Sequence, residues 1–126
     1  MADKLKISKE SSEQLNFLST RLNLKRNLVC RIALSISLAT REPISESIDS
    51  DTEGYEFNKS TILGPDETYF KSLSAYVQNK SNTSDFYNII VRNHIERGLR
   101  IMFNDYQTVN SPVGYLSSLL NKENQD

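Results

Sequence analysis

Apolar residues recur at helical intervals through residues 27–39, Asn-Leu-Val-Cys-Arg-Ile-Ala-Leu-Ser-Ile-Ser-Leu-Ala. Leu28, Ile32, Ile36 and Ala39 follow one another at steps of three or four, and Val29, Ala33 and Leu34 widen the stripe beyond the single face of a surface helix. The pattern predicts a helix buried on most sides. Cys30 acts as a small apolar group, and Ser35 and Ser37 can bond back to the preceding turn, which leaves Arg31 as the one charge in the run. Arg31 must therefore reach solvent, an acid or a phosphate. Burying a Leu or Ile stabilises by about 1.5–3 kcal/mol, and a chain of 126 residues has few other elements to cover such a helix. Part of its surface is expected to be covered by a second copy of the protein.

Upstream, Lys4-Leu5-Lys6-Ile7 alternates polar and apolar, the two-residue period of a short strand with Leu5 and Ile7 inward and both lysines outward. Ser8 or Ser11 can cap the next helix, with Gln14 three residues after Ser11 as in a capping box and Leu15, Leu18 and Leu22 as the buried stripe. Residues 23–26 form a turn, and Asn27 is the expected cap of the buried helix. Strand, helix, turn, helix is the element order of ribbon-helix-helix DNA-binding proteins, in which two chains pair their strands and intertwine their helices.

Pro43 closes this unit. The stretch 42–56 is acidic and serine-rich, with too few apolar groups to fold independently, and is expected to be a mobile loop. Residues 55–63 read as extended, a candidate hairpin, before the punctuation of Gly64-Pro65. Asp66 caps a helix carrying Tyr69, Phe70, Leu73, Tyr76 and Val77 that ends in a polar loop at 79–84. A long helix is predicted over 85–103, with Phe86, Ile89, Ile90, Val91, Ile95, Leu99 and Met102 apolar, and a last one from Ser111-Pro112 with Tyr115, Leu116, Leu119 and Leu120. The fold class expected is mainly α: one compact helical domain over 1–126 with a short N-terminal strand and a ribbon-helix-helix-like start.

Composition changes this picture little, whereas the distribution of charge changes it a good deal. The apolar and charged content is that of an ordinary globular protein, a single cysteine forms no internal disulfide, and no stretch is apolar enough for a signal peptide or a membrane span, so the expected location is the cytoplasm. The net charge of −1 conceals an asymmetry. Residues 1–41 hold eight Lys/Arg against three acids, residues 42–68 one against eight, and the remainder six against five. Only the first third looks made for a polyanion.

Three segments carry a family resemblance: Asn27-Leu-Val-Cys-Arg-Ile-Ala-Leu-Ser-Ile-Ser-Leu38, Glu56-Phe-Asn-Lys-Ser-Thr-Ile-Leu-Gly64 and Asn93-His-Ile-Glu-Arg-Gly-Leu99. In order and spacing they resemble the signature segments of the DndE family, a small component of the bacterial DNA phosphorothioation system, which replaces a non-bridging phosphate oxygen with sulfur. The likeness spans roughly residues 4–103, and Cys30-Arg-Ile-Ala-Leu34 is its most specific block. It implies a mainly helical homotetramer that binds duplex DNA, nicked duplex included, through a lysine-rich surface. It further implies no catalysis of the chain's own and other subunits of the phosphorothioation complex as partners. The chain departs from the pattern at the turn Leu22-Asn23-Leu24, which lacks an expected Thr-Gly, and in the length of the acidic stretch.

With that resemblance, Lys4, Lys6, Lys9, Arg21, Lys25, Arg26 and Arg31 become the expected DNA-binding residues. Lysine ammoniums are point charges indifferent to base identity, so the patch predicts backbone binding without marked sequence preference, multiplied around a tetramer. The helix N-termini near Ser8 and Asn27 offer further N–H donors to phosphates. Arg92, Arg97 and Arg100 are the next cations to consider, and one of the two flanking Gly98 could pair with acids across a subunit boundary. Gly98 itself, costing about 1 kcal/mol relative to Ala inside a helix, suggests close approach of another backbone.

Cys30 and His94 are the only soft ligands or nucleophiles. A cysteine inside an apolar run disfavours its thiolate, a lone Cys and His do not make a zinc site, and no Ser, Cys or Asp motif accompanies His94. No GxxxxGK[ST], GxGxxG or GxSxG occurs. The chain is accordingly expected to be no enzyme, with no catalytic residue, no metal ligand and no cofactor. The rival readings are a ribbon-helix-helix transcriptional regulator, which would protect one preferred DNA site, and a protein-interaction module working through the acidic stretch.

Overall fold

A computed structural model of the chain describes residues 4–79 and 87–109. The first strand, β1 (Lys4–Lys6), keeps the predicted alternation: Leu5 is buried between two exposed lysines, and Ile7 beyond them is fully buried. Its partner strand belongs to the same chain. β1 runs antiparallel to β2 (Glu56–Asn58), with Lys4 opposite Asn58, Leu5 opposite Phe57 and Lys6 opposite Glu56. The ladder continues through Ile7 N–H to the Tyr55 carbonyl at 3.0 Å and Gly54 N–H to the Ile7 carbonyl at 2.9 Å.

Helix α1 (Lys9–Leu22) is capped by Ser8, whose hydroxyl accepts from the Ser11 N–H at 3.1 Å, so the cap lies one turn ahead of the Ser11 alternative. Leu15, Leu18 and Leu22 line its buried face as predicted. The turn that lacks glycine is solved by Asn23, which takes the left-handed conformation (φ 56°) and returns its N–H to the Ser19 carbonyl. Asparagine is one of the few residues that tolerates this region, so the chain closes α1 without the expected Gly. Helix α2 then spans Arg26–Ala39, and Lys25 rather than Asn27 is its N-cap, without a side-chain hydrogen bond.

The burial of α2 departs from expectation. Val29, Cys30, Ala33, Leu34, Ser37 and Leu38 face the core, while Leu28 is 40% exposed, Ile32 and Ile36 are half-buried and Ala39 is exposed. Within the chain, α2 is therefore covered on one side only. The helix enclosed on most sides is instead α5 (Tyr87–Val109), in which every residue from 90 to 96 is buried. α2 and α5 cross at Gly98: a Cβ there would lie 1.9 Å from the Ala33 carbonyl oxygen, so the suspected close approach is between two helices of one chain.

Between these helices the extended reading of 55–63 holds only to Asn58. Residues Lys59–Leu63 form a short helix, α3, followed by a 3-10 turn at Gly64–Asp66, because one helical turn delivers both Ile62 and Leu63 to the core, which alternation would not. α4 (Glu67–Gln78) follows Asp66, which stands at the N-cap without a side-chain capping bond; the helix buries Phe70 and Val77 but leaves Tyr69 and Tyr76 exposed. The start of the long helix at 85 and the helix expected from 111 lie outside the described residues.

The segment 42–56, expected to be a mobile loop for want of apolar groups, makes polar contacts with α4 and α5. Arg92 donates to the Ser50 hydroxyl (2.9 Å) and the Asp51 carbonyl (2.7 Å), and Asn93 Nδ2 donates to the carbonyls of Ser45 (2.8 Å) and Ser47 (2.9 Å). Arg97 donates to the Glu42 carbonyl at 2.8 Å, and Gln78 bonds both the N–H and the carbonyl of Ile44. Gly54 presses on the start of α1, where a Cβ would sit 2.2 Å from the Ser8 carbonyl oxygen. The segment thus roofs the polar face of α5, which explains why that helix is enclosed.

Candidate nucleic-acid interface

The expected DNA-binding cations divide into those the fold directs outward and one it turns inward. Lys4 and Lys6 share the outer face of the β1–β2 ribbon, as alternation about the buried Leu5 requires. Lys4 Nζ lies 3.9 Å from the Glu56 carboxylate, with both side chains at least half exposed, so the pair contributes little and water or a phosphate can replace it. Lys9 is exposed at the first residue of α1. Lys25 and Arg26 are exposed where α2 begins, and Arg21 is exposed one turn before.

Both arginines of this group are stacked on aromatic rings. Arg21 sits 4.8 Å from the Phe17 ring centroid, and Phe17 packs edge-on against Phe103 and Tyr106 of α5. Arg26 sits 4.4 Å from the centroid of Tyr55. Stacking occupies the guanidinium's face and leaves its N–H edges for acceptors. Arg31 is different: it is half-buried, and its Nε donates to the Ile62 carbonyl at 2.6 Å, closing the end of α3. Arg92 and Arg97 are likewise committed, to the 42–55 segment, while Arg100 is exposed.

The two helix N-termini also differ. At α1 the Ser8 N–H donates to Glu96 Oε2 at 2.5 Å and the Lys9 N–H to Asp51 Oδ1 at 2.9 Å. Protein carboxylates already fill the position where a phosphate was expected. The Glu53 N–H, and after it the Lys9 N–H, hold the Asp51 carboxyl below the usual carboxylate range; Ser45 and Ser47 do the same for Asp49. At α2 no acid occupies the first turn and the N-cap Lys25 supplies no side-chain bond, so its leading N–H groups have no capping side chain.

A second basic patch escaped the sequence reading. Lys59, the lone cation of residues 42–68, lies 4.8 Å from the Tyr87 ring centroid and donates to Asn88 Oδ1 at 2.8 Å, and Lys71 approaches the same ring at 5.9 Å. Burial, with Glu67 adding to it, pushes the Tyr87 hydroxyl up to about 12. No spacing in the sequence links 59, 71 and 87, so only the fold could bring them together.

The two reactive side chains are interior. Burial raises the Cys30 thiol to about 12, which keeps it protonated at neutral pH. His94 Nδ1 lies 2.8 Å from the Ser37 hydroxyl, which also accepts from Arg97 Nε at 2.8 Å. Burial, and secondarily the Arg97 charge, lowers His94 to about 4. Among the described residues no group of three or more His, Cys, Asp or Glu is placed to hold a metal ion, and no helix is long and apolar enough to cross a membrane.

Compared with known proteins, residues 4–110 match the model of a family described as DNA sulphur modification protein DndE. No curated protein matches the chain.

Proposed function

We propose, from the premise that this chain belongs to the DndE family and takes part in DNA sulphur modification, that it is a non-catalytic, duplex-binding subunit of that machinery. In this reading it acts in the cytoplasm as a homotetramer, docks beside the other subunits of the complex, and grips intact or nicked DNA by its phosphates. The observation that carries the reading is the separation of the cations into two kinds. Lys4, Lys6, Lys9, Arg21, Lys25 and Arg26 remain exposed, whereas Arg31, Arg92 and Arg97 serve internal acceptors. Two acids are occupied elsewhere, Asp51 at the start of α1 and Glu96 with Arg92, and the exposed Glu56–Lys4 pair is one that a phosphate can replace.

The partly uncovered Leu28, Ile32 and Ile36 supply an apolar surface on which copies of the chain can associate. Cys30 and His94, both fully buried, support the absence of a catalytic role for either. The strand-helix-helix start favours a ribbon-helix-helix regulator, but β1 pairs within its own chain instead of waiting for a partner's strand, which weighs against it.

Binding of a labelled duplex measured over a range of salt tests the proposal. Each phosphate contact should contribute about −0.9 to the slope of log K against log salt. Lys4, Lys6, Lys25 and Arg26 changed together to Glu should abolish binding while the assembly mass and the melting temperature persist. Binding by the charge-reversed protein equal to that of the parent would move the DNA face elsewhere, to the Lys59–Lys71 patch first. Protection of one preferred site in genomic DNA, with none in random sequence, would favour the regulator.

A further inference from the structure

We propose that Tyr55 and Asn16 form a seat that fixes the Arg26 guanidinium for contact with a backbone phosphate of duplex DNA, an inference that rests on the duplex-binding reading above. Tyr55 is held along its whole length. Its N–H donates to the Ser12 hydroxyl at 2.8 Å, its carbonyl accepts from the Ile7 N–H at 3.0 Å, and its phenol oxygen accepts from Asn16 Nδ2 at 2.8 Å. The ring also meets Phe57 edge-on, with centroids 6.2 Å apart. A ring pinned by its backbone, its edge and its hydroxyl is a fixed platform, and the Arg26 guanidinium lies 4.4 Å from its centroid.

Stacking orders the long arginine side chain before any ligand arrives, so less rotamer freedom is lost on binding. The planar fork keeps its N–H donors in the plane of the guanidinium, clear of the ring, in the geometry that suits two phosphate oxygens. Among the described residues no acceptor takes a hydrogen bond from Arg26, in contrast to Arg31, Arg92 and Arg97. Arg26 is also the first residue of α2, where no acid is present to compete. Tyr55 and Asn16 are positioning residues in this arrangement, acting through Arg26.

A double-mutant cycle on the full chain tests the seat, with affinity for a short labelled duplex and its salt slope as the readouts. Arg26→Gln should weaken binding and make the slope shallower by about 0.9. Tyr55→Leu should weaken binding about threefold in the presence of Arg26 and not at all beside Arg26→Gln, a coupling that a merely structural role of Tyr55 would not produce. Tyr55→Phe, which keeps the ring, should recover most of the affinity. Equal losses from Tyr55→Leu with and without Arg26, or no loss at all, would overturn the inference. If Tyr55→Leu fails to fold, Asn16→Ala takes its place in the same cycle and is judged by the same coupling. A parent protein without affinity for duplex would overturn the functional reading itself. A parent that binds, with Arg26→Gln indistinguishable from it, would overturn only the seat.

Discussion

Gly98 lies so close to Ala33 that the missing Cβ would occupy the space of the alanine's backbone, 1.9 Å from its oxygen and 2.7 Å from its Cα. Two helix backbones in such contact cannot yield as a flexible side chain would. Gly98→Ala should therefore push α2 and α5 apart and cost at least about 1–3 kcal/mol, despite the better helix propensity of alanine. Denaturant unfolding measures it, and a stability equal to the parent's would show that the crossing is looser than described.

Arg92 and Glu96 form a buried ion pair 3.3 Å apart, with side chains 3% and 6% exposed. Arg92→Met leaves the Glu96 charge buried without its partner and releases the carbonyls of Lys6 and Asp51, which should cost about 3–5 kcal/mol. Combining it with Glu96→Met should be less harmful than the two single effects together. Hydrogen exchange of residues 45–55 should rise in both single variants. Strict additivity, with unchanged exchange, would contradict the role given to this pair.

His94 makes stability depend on pH in a defined window. Its folded value, lowered to about 4, lies below the ordinary 6.5 of the unfolded chain, so between these limits the unfolded state binds the additional proton. Its contribution is fully present above about pH 6.5 and declines as pH falls toward 4, by at most about 3 kcal/mol. Protonation there would charge a buried ring and place a second cation beside Arg97. A His94→Gln variant should lose this slope between pH 6.5 and 4; persistence of the parent's slope would assign it to other groups.

Leu28 is the one large apolar residue of α2 that is exposed. Leu28→Asp should leave an isolated chain folded, with a change in stability within about 1 kcal/mol, yet split an assembly that uses this face. Light scattering distinguishes the two states. An unchanged assembly mass would place the contact between copies on another surface.

The Cys30 thiol, fully buried and raised to about 12, should resist alkylation in the native protein at neutral pH and react only as the chain unfolds. Rapid labelling without loss of structure would reopen the question of its reactivity.

Local chemistry was legible from the residues alone. Alternation set Lys4 and Lys6 outward about Leu5, a serine marked the start of α1, and the 3.6-residue period identified α1, α2, α4 and α5. A period, however, reports only that a helix has an apolar face, and α2 has two. Which one meets the core depends on where α5 crosses it, and that is decided by Gly98, 65 positions beyond Ala33 in the chain. The same limit applied to charge. Composition shows that the first third is basic, but the hold on Arg31 Nε follows from the Ile62 carbonyl at its side, and the stacking of Arg26 from Tyr55. The acidic segment looked unable to order itself because it lacks apolar groups. Its anchors are the polar side chains of Arg92, Asn93 and Arg97, hydrogen bonds between distant positions that leave no periodic trace in the sequence and exist only once α5 is buried beneath it.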